Sequence, residues 1–168
     1  FPEVRLIETG SNLGFGKANN IGLRKALEEN GDYVFLLNQD ASVENDTIEK
    51  LVNIAENNKE YGIISPMQLI PGINKLEWYF STYIAPEQCK DLYSDIYFNN
   101  TKDIYELKFV NAAAWLISKD CLSEVGAFDP LFFHYGEDED YCNQVKFKGF
   151  IIDVSPTAKI FHDIGKRS

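Results

Sequence analysis

The chain has 168 residues, 45% of them apolar and 14% aromatic, which is enough for one domain with a real core and excludes a disordered polymer. Its net charge of −10 argues against nucleic acid as the main partner and suits a cation-dependent site, because a divalent metal must offset carboxylates before a phosphorylated ligand can approach. No apolar run reaches the roughly 18 residues of a membrane span and no signal peptide is visible. Cys89, Cys121 and Cys142 form neither a metal-ligand spacing nor an even disulfide set, so a reducing compartment is expected.

Val4-Arg5-Leu6-Ile7-Glu8 alternates around an apolar pair and reads as a strand. Residues 9–16 are loop chemistry, with three glycines for unusual backbone angles. From Lys17 a helix is expected, with Ala18, Ile21, Leu23, Ala26 and Leu27 on one face and a stop at Asn30-Gly31. Residues 33–37 are five apolar residues in a row and predict a strand buried on both faces, as in a parallel sheet. Asn38-Gln39-Asp40-Ala41 breaks it, and a helix start near Asn45-Asp46 leads into the period of Ile48, Leu51, Val52, Ile54 and Ala55. Residues 62–67 are a further short strand, so the first 67 residues read β-α-β-α-β with parallel neighbours. Residues 68–107 show no sustained period and read as an irregular excursion with a short hairpin, the kind of segment that often carries binding loops. Residues 109–117 return as a strand, Ser118 caps a helix over 119–125, and Gly126 ends it. A last helix runs from near Glu137 to Lys148, followed by strands over 150–154 and 158–161.

The acidic stretch Phe132-Phe133-His134-Tyr135-Gly136-Glu137-Asp138-Glu139-Asp140-Tyr141 sets four consecutive carboxylates behind rings that favour burial. A carboxylate at the rim of a buried pocket is where acid–base or metal chemistry is found, and a helix start stabilises it as an anion. The alternative is an acidic helix start with no partner. Asp40 follows a strand at the sheet edge where α/β ligands bind, so it reads either as a metal ligand or as a turn-forming Asp. Residues 12–22 form a glycine-rich loop entering a helix, either an anion receptor or simply a tight loop. His162 leaves a strand and is either a metal ligand or a packed ring, and Lys166 and Arg167 could clamp phosphate or be solvated. Trp78, Tyr79, Tyr83 and Tyr93 could stack on sugar faces or fill the core.

Taken in order, Asn12-x-Gly14-Phe15, Asn20-x-Gly22, Leu37-Asn38-Gln39-Asp40, Gly126-Ala127-Phe128-Asp129, the Glu137-Asp138-x-Asp140 stretch, Gly149-Phe150, and His162 with Gly165 and Ser168 form a specific series. It resembles the family 2 glycosyltransferases, especially the bacterial rhamnosyltransferase-like branch that builds cell-surface polysaccharide, over nearly the whole chain. The resemblance implies an α/β GT-A fold with a mixed, mainly parallel sheet flanked by helices. Residues 1–168 would form one domain, 1–67 the remainder of the nucleotide-binding half and 68–168 the acceptor-binding half. It also implies a metal-dependent, inverting transfer from a nucleotide-sugar donor to a saccharide or lipid-linked acceptor, with Mg2+ or Mn2+ as cation.

By the same resemblance Asp40 holds the metal with His162 as a second contact, and Asn38 lies near the donor ribose. Asn12, Gly14 and Asn20 fall on the donor side. Asp138 is the base that deprotonates the acceptor hydroxyl, with Glu137, Asp140, Tyr135 and Trp115 on the acceptor side. A cytoplasmic location follows, with peripheral contact at the inner face of a bacterial membrane. Three departures stand out: Gln39 where this branch has proline, Ala112 where a glycine is expected, and Gln144 where an arginine usually pairs with the acidic helix. The chain also matches the family from after its opening strand–helix–strand, so free sheet edges are expected, which a homodimer would cover. Two other readings stay open: a non-catalytic remnant that binds saccharide or a protein partner, and a nucleotidyltransferase, whose phosphate-gripping loop is not visible.

Overall fold

A computed structural model describes residues 3–163 and 165. Its elements are α1 (Phe15–Glu28), β1 (Tyr33–Leu37), β2 (Ala41–Val43), α2 (Thr47–Asn57), β3 (Tyr61–Leu69), α3 (Trp78–Tyr83), α4 (Leu92–Tyr97), β4 (Tyr105–Glu106), β5 (Ala114–Ser118), α5 (Lys119–Val125), α6 (Glu137–Phe147) and β6 (Ile151–His162). The strands form one mixed sheet in the order β1-β5-β3-β6-β2, with β4 also on β6. Strands β1, β3 and β6 share a direction, but reversed β5 lies between β1 and β3. The parallel neighbours expected of the first 67 residues are therefore not hydrogen-bonded to each other, and β3–β6 is the one parallel pairing among the described residues.

Side chains leave the sheet with period two, which sorts the core into two layers. Ile64 and Leu116 meet Leu51 and Ala55 of α2 on one face. Ile63, Ile117 and Ile152 meet Leu23 of α1, Leu122 of α5 and Val145 of α6 on the other. At about 25 cal/mol per Å2, each fully buried Leu or Ile contributes about 2 kcal/mol, so the two layers supply most of the cohesion. Ser118 caps α5 as expected, its Oγ accepting the Cys121 N–H at 3.2 Å, and the three described cysteines are free and buried. Among the described residues no helix is long and apolar enough to cross a membrane.

Five expectations change. Val4-Arg5-Leu6-Ile7-Glu8 is not a strand; Val4 and Leu6 are 66% and 78% exposed, and no strand or apolar face takes them up. Strand β1 is only half-buried, because among the described residues β5 alone pairs with it. The strand expected over 109–117 begins at Ala114: Val110 is buried in irregular chain and Ala112 and Ala113 in a turn, so their hydrophobicity marks burial rather than extension. The two last strands are a single β6. Pro156 lacks an N–H, and around it the register against β3 jumps from Pro66↔Ser155 to Met67↔Lys159. Residues 68–107 are not wholly irregular: they hold two six-residue helices, and the short hairpin expected there is the turn closed by the antiparallel Leu69–Leu76 bridge before α3.

Candidate active site

The ends of β1 and β6 and the turn that leads into β5 open onto one cavity of about 560 Å3. Asn38 and Asp40 reach it from the end of β1, His162 from the end of β6, and Asn111 from the turn before β5. Glu77 and Tyr83 reach it from α3, and Tyr135, Glu137 and Asp138 from the entrance to α6. A smaller hollow of about 350 Å3 lies at the opposite sheet end, between Tyr33, Tyr61 and Ser118, and gathers none of the residues the motifs single out.

Two corners of the large cavity carry the chemistry. In the first, β2 pairs with β6 so that Ala41 faces His162, which brings the His162 Nε2 to 3.4 Å from an Asp40 carboxylate oxygen. His162 is 6% exposed and its Nδ1 has no partner. A carboxylate beside an imidazole suits a divalent cation that completes its shell with phosphate oxygens and water, as Mg2+ and Mn2+ do. It does not suit a closed cage, and among the described residues no group of three or more His, Cys, Asp or Glu could hold a metal.

In the second corner, Asp138 is held by the Glu139 N–H at 2.9 Å. Burial raises its carboxyl above the ordinary range and the Glu137 charge adds to this, while the backbone N–H groups of Glu139 and Ala112 oppose it. Tyr83 is raised first by burial and then by the charges of Asp138 and Glu77. Glu137 is buried with Oε2 unpartnered. Tyr135 has φ 66 and Gly136 φ 88, two successive left-handed residues that turn the chain into α6 and leave the Tyr135 ring 70% exposed at the rim.

Two residues on this cavity escaped the motif reading. Glu77, 1% exposed, caps α3 through both oxygens, from the Tyr79 N–H at 2.9 Å and the Phe80 N–H at 2.7 Å. An acid directly before Trp78-Tyr79-Phe80 is a capping signal that could have revealed it. Asn111 accepts from buried Gln68 Nε2 at 2.7 Å, which orients its amide, and no sequence pattern announces that pair.

Five of the expected site residues do not line the cavity. Asn12 accepts the Gly14 N–H at 2.9 Å within the loop before α1. Gly14, at φ 77, lies so close to the Phe133 carbonyl that a side chain there would collide with it, so its role is to let this loop dock on the 132–136 segment. Asn20 clamps the Phe128 backbone, accepting its N–H and donating to its carbonyl, both at 2.8 Å. Trp115 is wholly buried, stacked on Phe128 at 6.1 Å and on Tyr141 at 5.9 Å, beneath the site rather than in it. Asp140 accepts from Gln144 Nε2 at 2.6 Å, so the residue standing where an arginine is usual still holds the acidic helix start. Lys166, Arg167 and Ser168 lie outside the described residues.

A sequence profile of the family described as Glycosyl transferase family 2 matches residues 1–126. The chain belongs to that family. It is 26% identical over 166 residues to a dTDP-rhamnosyl transferase RfbF of Shigella flexneri, covering 99% of this chain and 54% of that protein. It is 22% identical to an N-acetylglucosaminyl-diphospho-decaprenol L-rhamnosyltransferase of Mycobacterium tuberculosis, covering 96% and 59%. A low-salt glycan biosynthesis hexosyltransferase, Agl10, of Haloferax volcanii is 24% identical over 96% of this chain and 52% of its own length. The chain thus spans about half the length of these relatives. A crystal structure of GalNAc-T7 with UDP, GalNAc and Mn2+ superposes with a TM-score of 0.71 at 17% identity, over 95% of this chain and 32% of that one, which shows the GT-A fold. The family match ends before α6, so the part given to Asp138 rests on where the cavity places it.

Proposed function

We infer that the cavity is the reaction centre of a metal-dependent, inverting glycosyltransferase acting on a saccharide acceptor of a cell-surface glycan. The observation that carries this is one cavity bordered by both the Asp40–His162 pair and the half-buried Asp138 carboxylate. Asp40 and His162 would hold a Mg2+ or Mn2+ ion, whose charge offsets the diphosphate that leaves the donor. Asn38, at the end of β1, would bind the donor ribose. Asp138 takes the proton from the acceptor hydroxyl as that oxygen attacks the anomeric carbon, and the diphosphate departs from the opposite face. One base and one displacement invert the centre without a covalent intermediate. Burial around Asp138 favours the neutral acid, so the carboxylate, once formed, gains by taking up that proton.

Calorimetry with UDP, dTDP and GDP in the presence of Mn2+ tests the donor half directly. Asp138→Asn should lower transfer by about 100- to 10,000-fold, the range of general-base contributions, and leave nucleotide affinity unchanged. Near-normal transfer by that variant would remove Asp138 from the mechanism. Glycoside binding without any nucleotide binding would instead favour a saccharide-binding remnant.

A further inference from the structure

Gln68 is a fully buried amide in a run of core residues at the end of β3. A buried amide is costly unless it is hydrogen-bonded, so its single partner is informative. The Gln68 backbone is fixed: its carbonyl accepts the Glu77 N–H at 2.9 Å, and β6 holds it in register with Ile160. Its side chain reaches Asn111, with Nε2 donating to Oδ1 at 2.7 Å. Turning the Gln68 amide round would bury its NH2 group without an acceptor, a rarer and costlier orphan than the lone Oε1 it has now. With Oδ1 so committed, Asn111 keeps its Nδ2 for the cavity; that atom has no hydrogen bond among the described residues and is not closed off from solvent.

The turn that carries Asn111 is tied to both corners of the site. The Ala112 N–H holds the Asp138 carboxylate, and the Ala113 carbonyl accepts the Asn38 N–H at 2.9 Å. Period two along β6 puts His162 on the same face as Ile160 and Gln68, so the Asn111 amide is anchored on the side of the sheet from which His162 emerges. Among the described residues lining this cavity there is no lysine or arginine. Beyond the cation, charge building on a leaving diphosphate therefore meets only N–H and O–H donors here. We propose that Gln68 is a positioning residue that fixes Asn111 with its NH2 group toward the cavity, where it donates to the diphosphate oxygen that leaves the anomeric carbon. As that C–O bond breaks, its electron pair stays on the oxygen, which can only accept, so an Asn111 turned to show its carbonyl would repel it. The proposal rests on the transferase reading above and adds a donor to its leaving-group side.

Calorimetry with UDP, dTDP and GDP against UMP, dTMP and GMP, all with Mn2+, tests this on the chain and its variants. Gln68→Met keeps the side-chain bulk and removes the anchor. It should weaken the diphosphate that binds about tenfold, the scale of a hydrogen bond to a charged group, and leave the matching monophosphate unchanged. Asn111→Ala should do the same, and the double variant should also be about tenfold weaker, not about a hundredfold, because Gln68 acts only through Asn111. Equal losses for monophosphate and diphosphate, additive losses, or unchanged diphosphate affinity in a folded Gln68→Met chain would each overturn the proposal and leave the transferase reading standing. Absence of any nucleotide binding would remove both. Side-chain amide NMR on the unaltered chain decides the orientation even if the variants do not fold. The Gln68 NH2 protons should exchange slowly with solvent and the Asn111 NH2 protons rapidly, until a diphosphate with Mg2+ slows them. The reverse pattern, or an Asn111 NH2 group indifferent to the bound diphosphate, would also overturn the proposal.

Discussion

Asp153 is a carboxylate inside the sheet, 2% exposed, directly across from Glu106 of β4 and with Oδ2 unpartnered. Burial, then Glu106 and Glu60, push it up to about 7. Its folded value lies above the unfolded value of about 3.9, so folding favours the protonated acid. The stability this gives is complete below about pH 4 and is lost as pH climbs through about 7. Urea unfolding should show stability falling between these limits by up to about 4 kcal/mol, and Asp153→Asn should remove most of that slope. An unchanged slope in the variant would place the cause elsewhere.

Asp138 moves the same way, with burial again the first cause, but its effect should appear in rate. Acceptor kcat/KM should rise with pH through a value above the ordinary Asp range and then level off. A profile already flat in the ordinary carboxylate range would assign the base to another group. At this scale the sequence was informative about Asp40, Asp138 and His162, because each sits at the end of a strand or the start of a helix that periodicity locates. Glu77 was legible only as a helix cap, because a capping acid inside an aperiodic stretch does not announce that it borders a cavity.

Among elements, the loops on either side of the cavity are held by residues that read as ligand contacts. Asn20 joins α1 to the turn before the acidic stretch, and Phe128 of that turn stacks under Trp115 and packs against Phe15 and Tyr141. Asn20→Ala leaves a backbone N–H and a carbonyl without their partners and should cost about 1–3 kcal/mol of stability in chemical unfolding. Nucleotide affinity should not change. The opposite result, unaltered stability with weakened nucleotide binding, would restore Asn20 to the donor side as the family motif implies. The sequence could not separate these outcomes, since a motif marks both residues that touch a ligand and residues that hold the loop beside it. The helices were easier: α1, α5 and α6 stop at or just before the glycines Gly31, Gly126 and Gly149, as local chemistry dictates.

At the scale of the whole molecule, β1, β3 and β5 were readable as strands, whereas the short β2 and β4 and the strand order were not. Five apolar residues over 33–37 predict a strand but do not say that reversed β5 will be its neighbour, because that order is set by which faces α2 and the α1–α5–α6 layer cover. The outcome leaves β1 paired on one side, with Leu37 41% exposed at its end. A free strand edge offers unpaired N–H and C=O groups to another chain, and a lysine on such an edge discourages pairing. Size-exclusion chromatography with light scattering should therefore show self-association that grows with concentration and is weakened by Leu37→Lys. A monomer across the whole range would show that this edge recruits no second copy.

The chain contains two tryptophans, and the fold gives them opposite surroundings. Trp115 is sealed between rings beneath the cavity, whereas Trp78 is 65% exposed at the start of α3, next to Tyr79. Their fluorescence is thereby divided by task. The buried indole emits at short wavelength until the core opens, and the exposed one emits as in water and responds to what settles beside α3. A Trp115→Phe chain, with the stack kept aromatic, would carry a single optical reporter on α3, between the cavity-lining Glu77 and Tyr79, and let occupancy be read without a label.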